Sequence, residues 1–235
     1  MTKIHVNKSN EELKELFKNV YFINGTAYSG KSTMIRMLSE KYSPNSIMCG
    51  ENYINDVMKS YNIDIYDQPN LCYFDTMKLW DEFINRTPEE YDNWIIGCSK
   101  ESAPIEIKEL IKYATNNPDK KIFVDTNIPL DMLHNISNHS NVLIMLCDSE
   151  ISVNCFFDRP DEEKQFILKM IKKSSNPNAL ENYKNCLKKV NSKEHYEEFL
   201  NSGFNVLIRD NNRTLEETLN IVEECFNLNE KRTIK

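Results

Sequence analysis

The run Asn24-Gly25-Thr26-Ala27-Tyr28-Ser29-Gly30-Lys31-Ser32-Thr33 places two of the chain's five glycines five residues apart, directly ahead of a lysine and two hydroxyls. The spacing is G-x-x-x-x-G-K-[ST] from Gly25 to Ser32, and each residue type in it suits the binding of phosphate. Gly25 and Gly30 allow backbone angles and close approaches that a side chain would block. The amides of Thr26, Ala27, Tyr28, Ser29 and the residues up to Thr33 then offer donors, and a helix start adds partial positive charge. In such a loop Lys31 can bridge the β- and γ-phosphates of a nucleotide, and the Ser32 hydroxyl can hold Mg²⁺.

The surrounding pattern supplies the elements that this chemistry needs. An apolar run, NVYFIN (19–24), reads as a buried strand leading into the loop, and KSTMIRMLSEKY (31–42) reads as a helix leaving it, stopped by Pro44. Four further compact apolar runs read as strands: NSIMC (45–49), KIFVD (121–125), NVLIMLCD (141–148) and FNVLIR (204–209). Ser9 with Glu12 signals a helix over 10–17, and Thr214 with Glu217 signals a last helix ending near Asn227. Asn70 is placed to cap a helix over 71–86. Thr87-Pro88-Glu89-Glu90 starts another that runs towards Ala114 with a perturbation near Pro104. A short helix begins near Pro129, and residues 150–202 read as a helical series that Gly203 ends. Near-continuous apolar strands alternating with helices predict a doubly wound α/β unit with a parallel sheet covered on both faces. No repeat or linker divides the chain, so residues 1–235 are expected to form one domain. Its helical additions fall at about 52–115 and about 150–202.

Composition narrows the function classes. A net charge of −7 does not suit a protein whose main partner is nucleic acid, although one anionic ligand can still meet a local positive potential. Seven scattered cysteines form no CxxC pair, which reads as free thiols in a reducing compartment without a zinc site. The polar start MTKIHVNKSNEELKELF does not read as a signal peptide, and no apolar run has the length of a membrane span. The expected location is therefore cytoplasmic, with no membrane partner. Nothing in the sequence sets the oligomeric state.

The loop and the layout together resemble the P-loop kinases of the nucleotide, shikimate and antibiotic kinase type. The resemblance covers most of the chain as architecture and only short pieces as motif. It implies a three-layer P-loop NTPase fold with sheet order 2-3-1-4-5, and ATP with Mg²⁺ as cofactors. The implied reaction transfers the γ-phosphoryl group to a small acceptor. On the same resemblance Asp125, ending KIFVD, takes the place of the Walker B carboxylate, with Asp148 as its rival at the end of another strand. VDTNIP is similar to a turn of adenylate kinases, with Leu130 where those carry an arginine. Arg159, with Lys164 second, falls where these kinases carry a lid, and Asp210, Asn212 and Arg213 fall where they contact adenine.

The acceptor side rests on Glu51, which follows the second strand at its carboxyl end. A hydroxyl needs a proton acceptor as it attacks, so a carboxylate here suits a base. A phosphate acceptor calls for arginines instead. Residues 52–100 hold one arginine, Arg86, among nine aromatics, which favours a hydroxyl of a nucleoside, shikimate-like or antibiotic-like molecule. Most of those aromatics, Tyr73, Trp80 and Phe83 among them, lie at helical spacing that also suits a core. The alternatives are a nucleoside monophosphate kinase, and a regulatory P-loop protein that hydrolyses ATP without a small acceptor.

Overall fold

The computed structural model describes residues 8–51, 53–158 and 162–229. In chain order the elements are α1 (Asn10–Leu16), β1 (Val20–Gly25), α2 (Lys31–Lys41), β2 (Ser46–Cys49), α3 (Tyr53–Lys59), α4 (Tyr73–Thr76), α5 (Trp80–Ile84) and α6 (Pro88–Asn116). They continue with β3 (Lys121–Asp125), α7 (Leu130–Ile136), β4 (Val142–Leu146), α8 (Ser149–Asn154), α9 (Glu162–Lys173), α10 (Ala179–Val190), α11 (Lys193–Leu200), β5 (Asn205–Ile208) and α12 (Leu215–Cys225).

The strands form one five-stranded sheet in the order β2-β3-β1-β4-β5. Every pairing is parallel. Alternation of side chains along a strand divides the apolar residues between two layers. Val20 and Phe22 of β1 face a core built with Ile107 and Leu110 of α6, Met132 and Leu133 of α7, and Leu13 of α1. Tyr21 and Ile23 face the opposite core, with Met34, Ile35 and Leu38 of α2 and Leu219 and Val222 of α12. Burying each such side chain contributes about 1.5–3 kcal/mol, so both layers hold the sheet from its two sides. The register sets Ile23 against Asp125 and Gly25 against Met145, which brings the carboxyl ends of β1, β3 and β4 to one edge.

A third core lies away from the sheet. Phe83 and Ile84 of α5 and Tyr91 of α6 pack with Val153 of α8, Ile171 of α9, and Tyr183 and Leu187 of α10. The two helical additions read from the sequence thus share one hydrophobic centre, with α6 as the long strut joining it to the sheet. Arg86 belongs to this centre: its guanidinium carbon lies 3.7 Å from the centre of the Tyr73 ring and 5.2 Å from that of Trp94.

Two local expectations differ from the structure. The helix expected over 71–86 is two short ones, α4 and α5, separated at Met77-Lys78-Leu79. Asn70 caps neither; its backbone and side-chain nitrogens donate to the Glu101 carboxylate of α6. The expected perturbation at Pro104 does not end α6, which runs through it to Asn116. Ala103, Ile105 and Ile107 are buried around that proline, and their packing outweighs the single lost helical hydrogen bond.

Candidate functional site

The loop between β1 and α2 is tied down from outside. Thr26 N donates to Met145 O at 3.1 Å, and Cys147 N donates to the Thr26 hydroxyl at 2.7 Å. Ser152 Oγ of α8 donates to Ala27 O at 2.9 Å, and Arg209 Nη1, just after β5, donates to Tyr28 O at 2.5 Å. The Tyr28 hydroxyl reaches Cys155 O beyond α8. Because C=O and the following N–H point opposite ways in a trans peptide, these outward carbonyls turn the amides of Tyr28 and Ser29 away from α8 and Arg209. Tyr28 has φ 63° and Gly30 φ 99°, so the loop takes left-handed backbone at two places.

Gly25 has a different constraint from the one its motif suggests. Its φ is 125°, and a Cβ there would lie 2.0 Å from Met145 O. The close approach is to the backbone of β4, as the register requires. At Gly30 a Cβ would meet only Met145 Cε at 3.7 Å, and the backbone angle is what calls for glycine.

Helix α2 begins at this loop with no side-chain cap and no acid in its first turn. Helices α1, α6 and α12 each start with a full capping box instead. The first-turn amides of Lys31, Ser32 and Thr33 have no acceptor within the helix and remain oriented along its axis towards the loop. Lys31 folds over the loop, with Nζ 3.2 Å from Gly25 O and 2.8 Å from Thr26 O. Ser29 is buried, and its hydroxyl also donates to Thr26 O, at 2.9 Å.

Ser32 is where the separate strands meet. Its hydroxyl lies 2.6 Å from Asp125 Oδ2 and 3.2 Å from Glu51 Oε2. Asp125 is buried at the end of β3, and Glu51 is exposed in the turn after β2. Asp148, the rival carboxylate, is spent as the N-cap of α8 and accepts from Glu150 N. Two carboxylates and a hydroxyl are hard oxygen donors of the kind Mg²⁺ takes, completed by water or phosphate. Among the described residues no group of three or more His, Cys, Asp or Glu side chains is arranged to hold a metal by itself.

The remaining predicted residues are more scattered. Arg159 lies outside the described residues. Lys164 of α9 has its ammonium 6.0 Å from the centre of the Tyr28 ring and 5.5 Å from that of Phe156. Asp210 closes its own turn by accepting from Asn212 N, and both line a pocket of about 480 Å³ with Arg213, Glu217, Asn220 and Ile221. The neighbouring Arg209, which the sequence reading passed over, is what connects that turn to the glycine loop. Tyr73, Phe83, Tyr91 and Trp94 pack around Arg86 in or against the third core. Trp94 is twelve residues along α6 from Glu106, about 18 Å by helical rise. Several aromatics of 52–100 thus belong to that core, while Tyr73 and Trp94 with Arg86 also line a pocket of about 450 Å³.

Glu106 is the residue that sequence reasoning missed. It is 3% exposed on the sheet-facing side of α6, accepts from the Tyr53 hydroxyl at 2.6 Å, and lies near the Thr126 side chain. Its signal was a carboxylate within the apolar stripe of Ala103, Ile107 and Leu110. Burial lifts its pKa from 4.5 to about 7, with the Asp125 charge adding to the rise and the two hydroxyl donors opposing it. A carboxyl with a raised folded pKa favours folding below 4.5 and loses that contribution as pH climbs through 7. The protein should therefore lose about 3 kcal/mol through this group between pH 4 and pH 8, and Glu106→Gln should lack that component. Urea unfolding of both proteins at the two pH values checks it. Parallel pH profiles would refute the assignment.

No helix among the described residues is long and apolar enough to cross a membrane. No protein-family model matches the chain, and no curated protein or solved structure matches it either.

Proposed function

We propose that the protein is a P-loop kinase that transfers the γ-phosphoryl group of ATP to a hydroxyl of a small molecule. The observation that carries this reading is the meeting of Ser32 with Asp125 at 2.6 Å, at the uncapped start of the helix that follows the glycine loop. A lone helix start binds anions of many kinds. A helix start with a lysine over its loop and a hydroxyl bonded to a strand-end carboxylate suits a metal-bound polyphosphate.

In this reading the amides of the loop and of the first turn of α2 bind the phosphates, and Lys31 neutralises their charge. Ser32 and Asp125 would hold Mg²⁺, and the ion would supply neutralisation of the phosphate charge. The turn after β5, with Asp210 and Asn212, flanks the base. Glu51 stands 3.2 Å from Ser32 and is exposed, so a substrate hydroxyl can approach it beside the γ-phosphate. Its role is to accept the hydroxyl proton as the oxygen attacks. Arg159 is proposed, from its place in the chain alone, to close from the helical side. The acceptor is of the nucleoside, shikimate-like or antibiotic-like class, and the site of action is the cytoplasm.

The test is ATP consumption measured with and without a panel of nucleosides, polyols, hydroxy acids and aminoglycoside or phenolic antibiotics. Stimulation by one class supports the reading, and a flat panel with brisk basal hydrolysis moves the assignment to a regulatory ATPase. Glu51→Gln should lower acceptor-dependent turnover by about 10²–10⁴-fold with ATP affinity kept. Unchanged transfer in that variant would remove Glu51 from the base role.

A further inference from the structure

Glu106 of α6 accepts a hydrogen bond from Tyr53, two residues after Glu51, and lies near Thr126, the residue after Asp125. On one side the Tyr53 hydroxyl donates to Glu106 Oε1 at 2.6 Å. Tyr53 N also donates to Gly50 O at 3.0 Å, closing the turn that holds Glu51. On the other side lies Thr126, whose hydroxyl accepts from Ile128 N at 3.0 Å and helps hold the Glu106 pKa down. Thr126 N donates to Ile23 O at 3.1 Å, which holds the residue after Asp125 against β1. Helix α3 needs such an anchor: Val57 is its one buried residue among those described. The Tyr53–Glu106 bond ties the segment after Glu51 to α6, beside the packing of Tyr53 against the core and the Ser32–Glu51 contact.

We infer that Glu106 is a positioning residue: from α6 it holds the Tyr53 hydroxyl, and so sets Glu51, two residues earlier in the chain, at its distance from Ser32. A buried carboxyl suits this task because its oxygen accepts from the hydroxyl along a direction fixed by the rigid helix. The inference rests on the kinase reading for the role of Glu51, while the Tyr53–Glu106 contact itself is a statement about geometry.

Tyr53→Phe removes the hydroxyl that Glu106 holds and fills the same space. Two readouts test it: residue-level amide hydrogen exchange, and kcat alongside the affinity for a non-hydrolysable ATP analogue. The expected result is faster exchange across residues 50–57 with the sheet still protected. With it, kcat should fall about 10- to 100-fold at unchanged analogue affinity, because small misplacements of a reacting group carry penalties of that size. Glu106→Gln keeps an amide oxygen for the Tyr53 hydroxyl and should leave 50–57 protected. Glu106→Leu removes the acceptor and should speed exchange at 50–57 as Tyr53→Phe does. Unchanged exchange in Tyr53→Phe, or an unchanged kcat despite faster exchange, overturns the inference. If the unsubstituted protein binds no nucleotide, the kinase reading falls, and the exchange data still decide whether the Tyr53–Glu106 contact holds that segment.

Discussion

Lys31→Ala is expected to reduce ATP consumption by at least about a hundredfold, the scale seen when one preorganised charge aimed at developing transition-state charge is removed. The ammonium is held 2.8 Å from Thr26 O and 3.2 Å from Gly25 O, over the same loop that would receive the phosphates. Truncation leaves the loop's own anchors in place, since Thr26, Ala27 and Tyr28 are bonded to β4, α8 and Arg209. The variant should therefore fold normally and fail chemically. Initial rates, with calorimetric titration of ATP, check both halves. Normal affinity and turnover would defeat the proposed function as a whole.

Gly25→Ala should fail in the opposite way, by losing the fold. A methyl group there would lie 2.0 Å from Met145 O, and the φ of 125° is one that alanine rarely adopts. Overpacking and backbone strain together predict a loss of about 3–5 kcal/mol, a large share of a typical domain's stability. Gly30→Ala is the informative control. It meets only Met145 Cε at 3.7 Å, so the strain of its φ alone remains, about 1–2 kcal/mol. Denaturant unfolding of the two variants should separate them clearly. Equal stabilities would mean that β1 and β4 do not pack as closely as the register of Gly25 on Met145 requires.

Much of the framework was legible because it depends on local pattern. The five apolar runs read as strands became β1 to β5, and their order is the one that the resemblance implied. The signals at Ser9, Thr87 and Thr214 became capping boxes, since a cap needs only a side chain and amides three residues away. Ser32 and Asp125, which the loop pattern and the resemblance assign to one metal ion, lie 2.6 Å apart. The break between α4 and α5, the continuity of α6 through Pro104, and the use of Asn70 by Glu101 were not legible. Each is decided by what packs against the segment from far away in the chain.

The same division runs through the site. By itself the sequence determined the glycine loop, the lysine and hydroxyl that follow it, and the strand ends that carry Glu51 and Asp125. Those features follow from residue type and spacing over a few positions. Only the tertiary structure decided that Asp148 is a helix cap, that the aromatics near Arg86 belong to a core, and that Arg209 braces the glycine loop. Above all it placed Glu106 between Tyr53 and Thr126, residues 53 positions before it and 20 after it in the chain. Helical periodicity shows that Glu106 shares a face with Ala103 and Leu110, and burial of that face is what any apolar stripe predicts. Which hydroxyls meet a carboxylate buried there is set by how α6 crosses the ends of β2 and β3, and no local spacing encodes that crossing.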